Sequence, residues 1–127
     1  MEFLHTDNAP AAIGPYSQAV KVNGLLYTSG QIALTPNGEM CENDIKKQTR
    51  QIFSNLRAIL EDNLSSMDQV IKINIYLTDM SDFGIVNVIM AEEFGDHKPV
   101  RSTVQVAALP KNAMIEMDLI AQVADYH

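Results

Sequence analysis

Cysteine is almost absent from this sequence, which excludes two common ways of stabilising a small protein. Cys41 is the only cysteine, so the chain can form neither an internal disulfide nor the cluster of thiolates that would hold zinc. The three histidines, His5, His97 and His127, lie too far apart for the short spacings of metal sites. We therefore expect no bound metal.

Basic residues and long apolar runs are also scarce. Nine lysines and arginines stand against sixteen aspartates and glutamates, so the net charge is −7, and the basic residues form no run. Such a surface repels nucleic-acid phosphates and anionic lipids, so we expect neither partner. No apolar run approaches the ~18 residues of a membrane span, and residues 1–10 lack the features of a signal peptide. A cytoplasmic protein is the expectation.

The composition that remains is that of an ordinary globular protein. The chain has 127 residues, of which 46% are apolar and 20% charged. A chain of this length removes roughly two-thirds of its surface from water when it folds, which is enough for a true core. We therefore predict one domain that spans residues 1–127.

The first part of the chain predicts short strands. Residues 17–22 and 25–29 are β-prone and flank Asn23 and Gly24. This dipeptide is the strongest short signal for a hairpin, because both residues accept positive φ. A third short strand is expected at 32–34.

The middle of the chain predicts helix, strand and helix. Apolar residues recur every three or four positions over 43–62, which indicates a helix with one buried face. Residues 69–78 alternate strictly, which is typical of a strand. A second helix is expected to begin after Ser81 as N-cap and to end near Gly95, before Pro99. The strand alternation predicts one face formed by Ile71, Ile73, Ile75 and Leu77 and the other by Val70, Lys72, Asn74 and Tyr76.

Two closing strands complete a mixed α+β sheet that carries two helices on one face. They cover residues 101–108 and 113–123, and the short connection at 109–112 predicts that they pair antiparallel. In the last strand, alternate residues from Ile115 to Val123 form an apolar face that should lie under the helices. Arg101 and Glu116 are then expected together on the uncovered face, among enough apolar residues to predict packing against another copy of the chain.

The pairing of a cation with a carboxylate leaves two interpretations open. Arg101 and Glu116 could form a structural salt bridge at an interface. Alternatively, the planar fork of Arg101 could hold the carboxylate of a substrate while Glu116 moves protons nearby. The residue pattern alone does not choose between them.

The longest motif is similar to that of a known family. The stretch PVRSTVQVAALPKNAMIEM, residues 99–117, resembles the signature of the RidA family, also called the YjgF family. The resemblance extends to APAAIGPYSQAV at 9–20, TSGQI at 28–32 and DFGIVN at 82–87, and so covers essentially the whole chain.

The resemblance implies both an architecture and an activity. It implies a chorismate-mutase-like mixed sheet, assembled as a homotrimer whose sheets face a central barrel and whose clefts lie between subunits. It also implies hydrolysis of 2-imino acids and their enamine tautomers, such as 2-iminobutanoate and 2-iminopropanoate, to 2-keto acids and ammonia, without metal or cofactor. Pyridoxal-phosphate-dependent dehydratases release these intermediates, so a functional link to such enzymes is implied.

The resemblance also assigns roles to residues. Arg101 matches the arginine that binds the substrate carboxylate, and Glu116 matches the acid that activates water or transfers protons. Thr103 stands where the family often has cysteine, which removes any thiol chemistry from the site. The implied substrate-binding residues are Tyr16, Ser29, Gly30, Asn87, Arg101 and Thr103.

Two alternative functions remain open at this point. The same cleft could belong to a regulatory module that binds a small carboxylate without turning it over. Some family members carry the description of endoribonuclease or translation inhibitor, but the acidic balance and the absence of a basic stripe disfavour RNA binding.

Overall fold

The computed structural model describes residues 1–124 and contains one six-stranded sheet with two helices on one face. This architecture confirms the predicted α+β fold. No helix in the described part of the chain combines the length and apolar character that crossing a membrane requires. The elements are β1 (Glu2–Leu4), β2 (Ala19–Val22), β3 (Leu25–Thr28), α1 (Ile45–Glu61), β4 (Val70–Leu77), α2 (Phe83–Phe94), β5 (Val100–Gln105) and β6 (Ile115–Gln122).

The strand order in the sheet is β1-β2-β3-β6-β4-β5. The predicted hairpin joins β2 to β3, with Asn23 at φ 52° and Gly24 at φ 77°, so both turn residues occupy the left-handed region. The third strand expected at 32–34 is wrong: this segment forms only isolated bridges through Gln31 and Leu34. One edge of the sheet is formed by β1, a strand that was not predicted because its three residues are too few to show a period.

The two helices begin in different ways. The side chain of Asp44 accepts a backbone N–H in the first turn of α1, so Asp44 is its N-cap. The expectation that Ser81 is the N-cap of α2 is wrong, because a 3-10 turn (Met80–Asp82) precedes this helix and Asp79 accepts the Ser81 N–H at 2.9 Å. The predicted end of α2 is confirmed at Gly95, whose φ of 60° suits glycine.

A bulge at the start of β4 corrects the predicted alternation. The register with β6 shifts between Val70 and Lys72, so Ile71 is an extra residue on the β4 side. Val70 is consequently buried at 2% exposure, whereas Ile71 is turned outwards at 40%. The remaining alternation is confirmed, because Ile73, Ile75 and Leu77 are buried.

The predicted pairing of the last two strands is wrong. β5 pairs in parallel with β4, and β6 pairs antiparallel with the other edge of β4. β5 ends at Gln105 rather than at residue 108, so residues 106–114 are free to cross the end of β4. That connection spans two strand spacings, about 10 Å, which a turn of four residues would not do comfortably. The helix between β4 and β5 is the usual link between parallel neighbours.

This pairing places Arg101 on the opposite face from the one expected. Arg101 is aligned with the buried Ile73, so its side chain leaves the sheet on the face that the helices cover. Glu116 is aligned with Tyr76 and lies on the uncovered face, as predicted. The expectation that Arg101 and Glu116 share a face is therefore wrong within one protomer. The alternation of β5 gave a wrong prediction because β5 is an edge strand. Only the margin of α2 covers it, so polar side chains are tolerated on its covered face.

Two fully buried amide side chains of α1 hold the segments that surround Glu116. The Asn55 Nδ2 donates to the Leu34 carbonyl at 2.8 Å, and the Gln48 Oε1 accepts from the Met114 N–H at 3.0 Å. Both bonds satisfy backbone groups that have no strand partner. α1 thereby anchors the segment after Gly30 and the start of β6.

The Gln48 bond should contribute measurably to stability. We expect Gln48→Met to lower the free energy of unfolding by about 1–3 kcal/mol, because the partly buried Met114 N–H loses its acceptor. Urea denaturation followed by circular dichroism would measure the change. Gln122→Met is the matched control, since the Gln122 side chain is exposed; it should change stability by less than about 0.5 kcal/mol. Equal effects of the two variants would contradict the anchoring role of Gln48.

Candidate functional site

Arg101 is held in place by side chains of α2. Its Nη1 donates to the Asn87 Oδ1 at 2.6 Å, and its Cζ lies 5.1 Å from the centre of the Phe83 ring. The same nitrogen lies 3.5 Å from the Met90 sulfur. No carboxylate of residues 1–124 forms an ion pair with Arg101. The fork is thus oriented by neutral groups and a ring face, which leaves its charge available to an anion that enters from solvent or from another chain.

A cleft opens beside this arginine, between α2 and the start of β5. It has a volume of about 410 Å³, and Asn87, Lys98 and Arg101 are among its lining residues. This volume lies within the range of small-molecule sites. On the same face of β5, the buried Thr103 hydroxyl oxygen has no hydrogen-bond partner among the described residues. A ligand or a second chain could supply one, because buried hydroxyls are normally paired.

Glu116 occupies a small cleft on the uncovered face, against Gly30. A Cβ at position 30 would lie only 2.5 Å from the Glu116 Oε2, so any residue larger than glycine would displace the carboxylate. Tyr16 and Lys111 line the same cleft. The structure therefore brings three of the predicted site residues, Tyr16, Gly30 and Glu116, into one place.

Ser29 lies next to this group and has a structural hydrogen bond. Its hydroxyl donates to the Ser17 carbonyl, and its backbone N–H donates to the Gln18 carbonyl at 2.9 Å. These bonds tie the end of β3 to the segment that carries Tyr16. Ser29 and Tyr16 also border a common cleft of about 480 Å³.

The surroundings of Glu116 favour its protonated form. Burial raises the pKa of its carboxyl group above the ordinary value, and the negative charge of Asp118 raises that pKa further. Glu116 thus keeps its proton to a higher pH than an exposed glutamate would. A carboxyl group whose pKa is raised can donate its proton when protonated and is a stronger base once ionised, so it suits proton transfer in both directions.

The predicted site residues therefore form two groups on opposite faces of the sheet. We call Asn87, Arg101 and Thr103 the arginine group, and Tyr16, Ser29, Gly30 and Glu116 the glutamate group. Arg101 and Glu116 accordingly line two different clefts.

Sequence reasoning missed some members of the two groups. Phe83 was not among the predicted site residues, although its spacing of four from Asn87 on one helix is the signal that both share a face. Lys111 gave no signal, because its place in the cleft depends on a turn with φ of 56°. Within residues 1–124, no three histidine, cysteine, aspartate or glutamate side chains cluster as metal ligands would.

Solved structures with the same architecture include proteins of the Rid family. A Rid family protein from Yersinia pestis superposes with a TM-score of 0.94 at 47% identity, covering 96% of this chain and 98% of that one. Escherichia coli TdcF, solved with bound serine, superposes with a TM-score of 0.92 at 37% identity, covering 98% of this chain and 100% of that one. The fold is therefore that of the Rid proteins.

Sequence relatives define the family. The family model described as Endoribonuclease L-PSP matches residues 6–123. A RutC family protein of Pyrococcus horikoshii is 49% identical over 121 residues, which cover 94% of this chain and 96% of that protein. The chloroplastic Reactive Intermediate Deaminase A of Arabidopsis thaliana is 45% identical over 121 residues, covering 94% of this chain and 65% of that protein. This chain belongs to the RidA/YjgF family, as its motifs indicated.

The close approach of Gly30 to Glu116 is directly testable. We expect Gly30→Ala to displace the Glu116 carboxylate while changing the free energy of unfolding by less than about 1 kcal/mol, because the contact is with the end of a flexible side chain. A crystal structure and urea denaturation would measure the two effects. Gly84→Ala is the control, since a Cβ there meets nothing within 4 Å. A Glu116 carboxylate that keeps its position in Gly30→Ala would refute the steric assignment.

Proposed function

We propose that this protein is a hydrolytic deaminase that converts reactive 2-imino acids and their enamine tautomers to 2-keto acids and ammonia. The main observation in support is the Arg101 fork, which Asn87 and Phe83 orient but no carboxylate of residues 1–124 neutralises. Such a fork matches the planar carboxylate of a 2-imino acid in shape and charge. The relative named Reactive Intermediate Deaminase A supports the reaction class.

The proposed active site lies between two copies of the chain. Arg101 and Glu116 leave opposite faces of the sheet, so a substrate could meet both only if one copy supplied the arginine group and another the glutamate group. A homotrimer whose sheets face a central barrel, with one such cleft at each interface, is the assembly we propose.

An apolar row across the uncovered face supports assembly through the sheet. One residue of every strand lies in register in this row, and only Lys72 among them is charged. Phe3 is 71% exposed and Val100 is 61% exposed, which is costly for a face that stays in water. The row consists of Phe3, Val20, Tyr27, Ile120, Lys72 and Val100.

The reaction needs only positioning and proton transfer. Arg101 would hold the substrate carboxylate, which fixes the neighbouring C=N carbon in the cleft. Glu116 would accept a proton from the water whose oxygen bonds to that carbon, and would then give a proton to the nitrogen. The new hydroxyl group then passes its remaining proton to the nitrogen, again through Glu116, as the C–N bond breaks and the C=O bond forms, so one water is consumed and ammonia leaves.

The other residues would shape the cleft. Tyr16 would form part of its wall, and Gly30 leaves room for the Glu116 carboxylate. Ser29 and Asn87 would border the ligand. Threonine offers no thiol for chemistry or modification. The backbone carbonyl of Thr103 would still help to hold the attacking water. The preferred substrates would be 2-iminobutanoate and 2-iminopropanoate, which pyridoxal-phosphate-dependent dehydratases release.

Removal of the arginine should abolish most of the activity. We expect Arg101→Ala to lower kcat/KM by about 10²–10⁴-fold, because two charge-assisted hydrogen bonds of about 1.5–3 kcal/mol each are lost. The assay measures 2-keto acid formation from 2-iminobutanoate generated in situ by a threonine dehydratase. Arg50→Ala is the matched control, since Arg50 is exposed and paired with Glu92 away from the site. Unchanged hydrolysis by Arg101→Ala, with the oligomeric state intact by light scattering, would disprove the role.

Removal of the proton-transferring group should affect turnover more than binding. We expect Glu116→Gln to lower kcat by about 10²–10⁴-fold, the usual contribution of general acid–base catalysis. Titration calorimetry with a stable 2-keto acid would show retained binding, because the arginine group is untouched.

The second candidate function is a regulatory module that binds a small carboxylate. The bound serine in the TdcF structure favours ligand binding as such in this family. Wild-type protein that binds 2-keto or amino acids, but hydrolyses no imine faster than buffer does, would support this candidate over the deaminase.

A further inference from the structure

Four polar side chains form a block on the uncovered face, and one of them is Glu116, the proposed proton-transferring residue. Tyr76 lies directly opposite Glu116 in the β4–β6 ladder, and Asn74 lies directly opposite Asp118. All four are partly buried. The Asn74 Nδ2 donates to the Asp118 Oδ1 at 2.7 Å.

The Asp118 carboxyl group has no cationic partner within the part of the chain that the structure describes. No lysine, arginine or histidine of residues 1–124 forms an ion pair with it. Its contacts are with neutral groups, the Asn74 amide and the Tyr76 hydroxyl, and burial together with Asp118 raises the pKa of that hydroxyl. Tyr76 therefore remains neutral beside Asp118, and the Asn74 amide orients the carboxyl group.

The distance to Glu116 is short enough for this charge to act. Residues 116 and 118 are two positions apart on one strand and so share a face, roughly 7 Å apart along the strand. In a partly buried setting such a charge is only weakly screened. The other titratable groups near Glu116 are Tyr16 and Lys111, which line its cleft, and Lys72, which lies two rows away on β4 and one row beyond Asp118. In the proposed assembly the arginine group of another copy also faces it.

We propose that Asp118 is a positioning residue that acts through Glu116: its carboxylate, anchored by Asn74 on the same face of β6, favours the protonated Glu116 that can give a proton to the departing nitrogen. This inference rests on the proposed function for its chemical purpose. The electrostatic coupling of the two carboxylates is independent of that function and can be measured in the absence of substrate.

The test is a direct titration of Glu116 in the full-length protein. The ¹³C signal of its labelled carboxyl group, identified by its loss in Glu116→Gln, is followed against pH by NMR. Asp118→Asn keeps the shape and the acceptor for Asn74 but removes the charge. We expect the midpoint of the Glu116 titration to move to lower pH in Asp118→Asn and to return towards the wild-type value in Asp118→Glu.

A matched control separates this local effect from the effect of net charge. Asp68→Asn removes the same charge at an exposed position outside the sheet, and should leave the Glu116 midpoint unchanged. An unchanged midpoint in Asp118→Asn, or an equal shift in Asp68→Asn, would overturn the proposal. If Asp118→Asn folds poorly, Asp118→Glu still tests the proposal. It keeps the negative charge, so the midpoint of the Glu116 titration should stay close to the wild-type value.

The pH profile of kcat/KM provides the functional readout. The pH at which kcat/KM rises or falls with the Glu116 titration should also be lower in Asp118→Asn. This holds for either active protonation state, because the change in rate follows the same titration. The plateau rate should fall less than about tenfold, in contrast to Glu116→Gln. If Asp118→Asn shifts the Glu116 midpoint but the wild-type protein hydrolyses no imine, the deaminase function is refuted and the coupling of the two carboxyl groups is retained.

Discussion

The parallel ladder between β4 and β5 is the interaction on which the arrangement of the site depends. It aligns Arg101 with Ile73 and so directs the guanidinium towards α2, where Asn87 and Phe83 hold it. The antiparallel ladder on the other edge of β4 directs Glu116 to the opposite face. The sheet itself therefore separates the two groups in each protomer, and the proposed chemistry requires a second copy to bring them together.

Buried polar side chains of α1 give the glutamate group its shape. The segment after Gly30 and the start of β6 expose backbone groups that the sheet does not pair, and Asn55 and Gln48 supply the missing partners. Buried polar groups hold one geometry only when they are satisfied. Because these two segments are held, the narrow space beside Gly30 is preserved for the Glu116 carboxylate. The helix face thus contributes to the site on the other side of the sheet.

The uncovered face combines two surfaces of different character. An apolar row that includes Phe3 and Val100 crosses the whole sheet and suits contact with another chain. Beside it lies the polar block that contains Asp118 and Glu116. Packing of the apolar row against another copy would further exclude water from the polar block, and a drier setting strengthens the influence of one carboxylate on the other.

Local patterns in the chain were sufficient to predict most elements and some of the site. The turn at Asn23 and Gly24, the buried face of α1 and the end of α2 at Gly95 depend on neighbouring residues, and all were predicted correctly. Periodicity reports which residues of one element share a face. It does not report which strand lies alongside or which face is covered, because these follow from contacts between distant segments. The partner of β5, the bulge at Ile71 and the separation of Arg101 from Glu116 were therefore decided only when the strands paired and the helices packed on them.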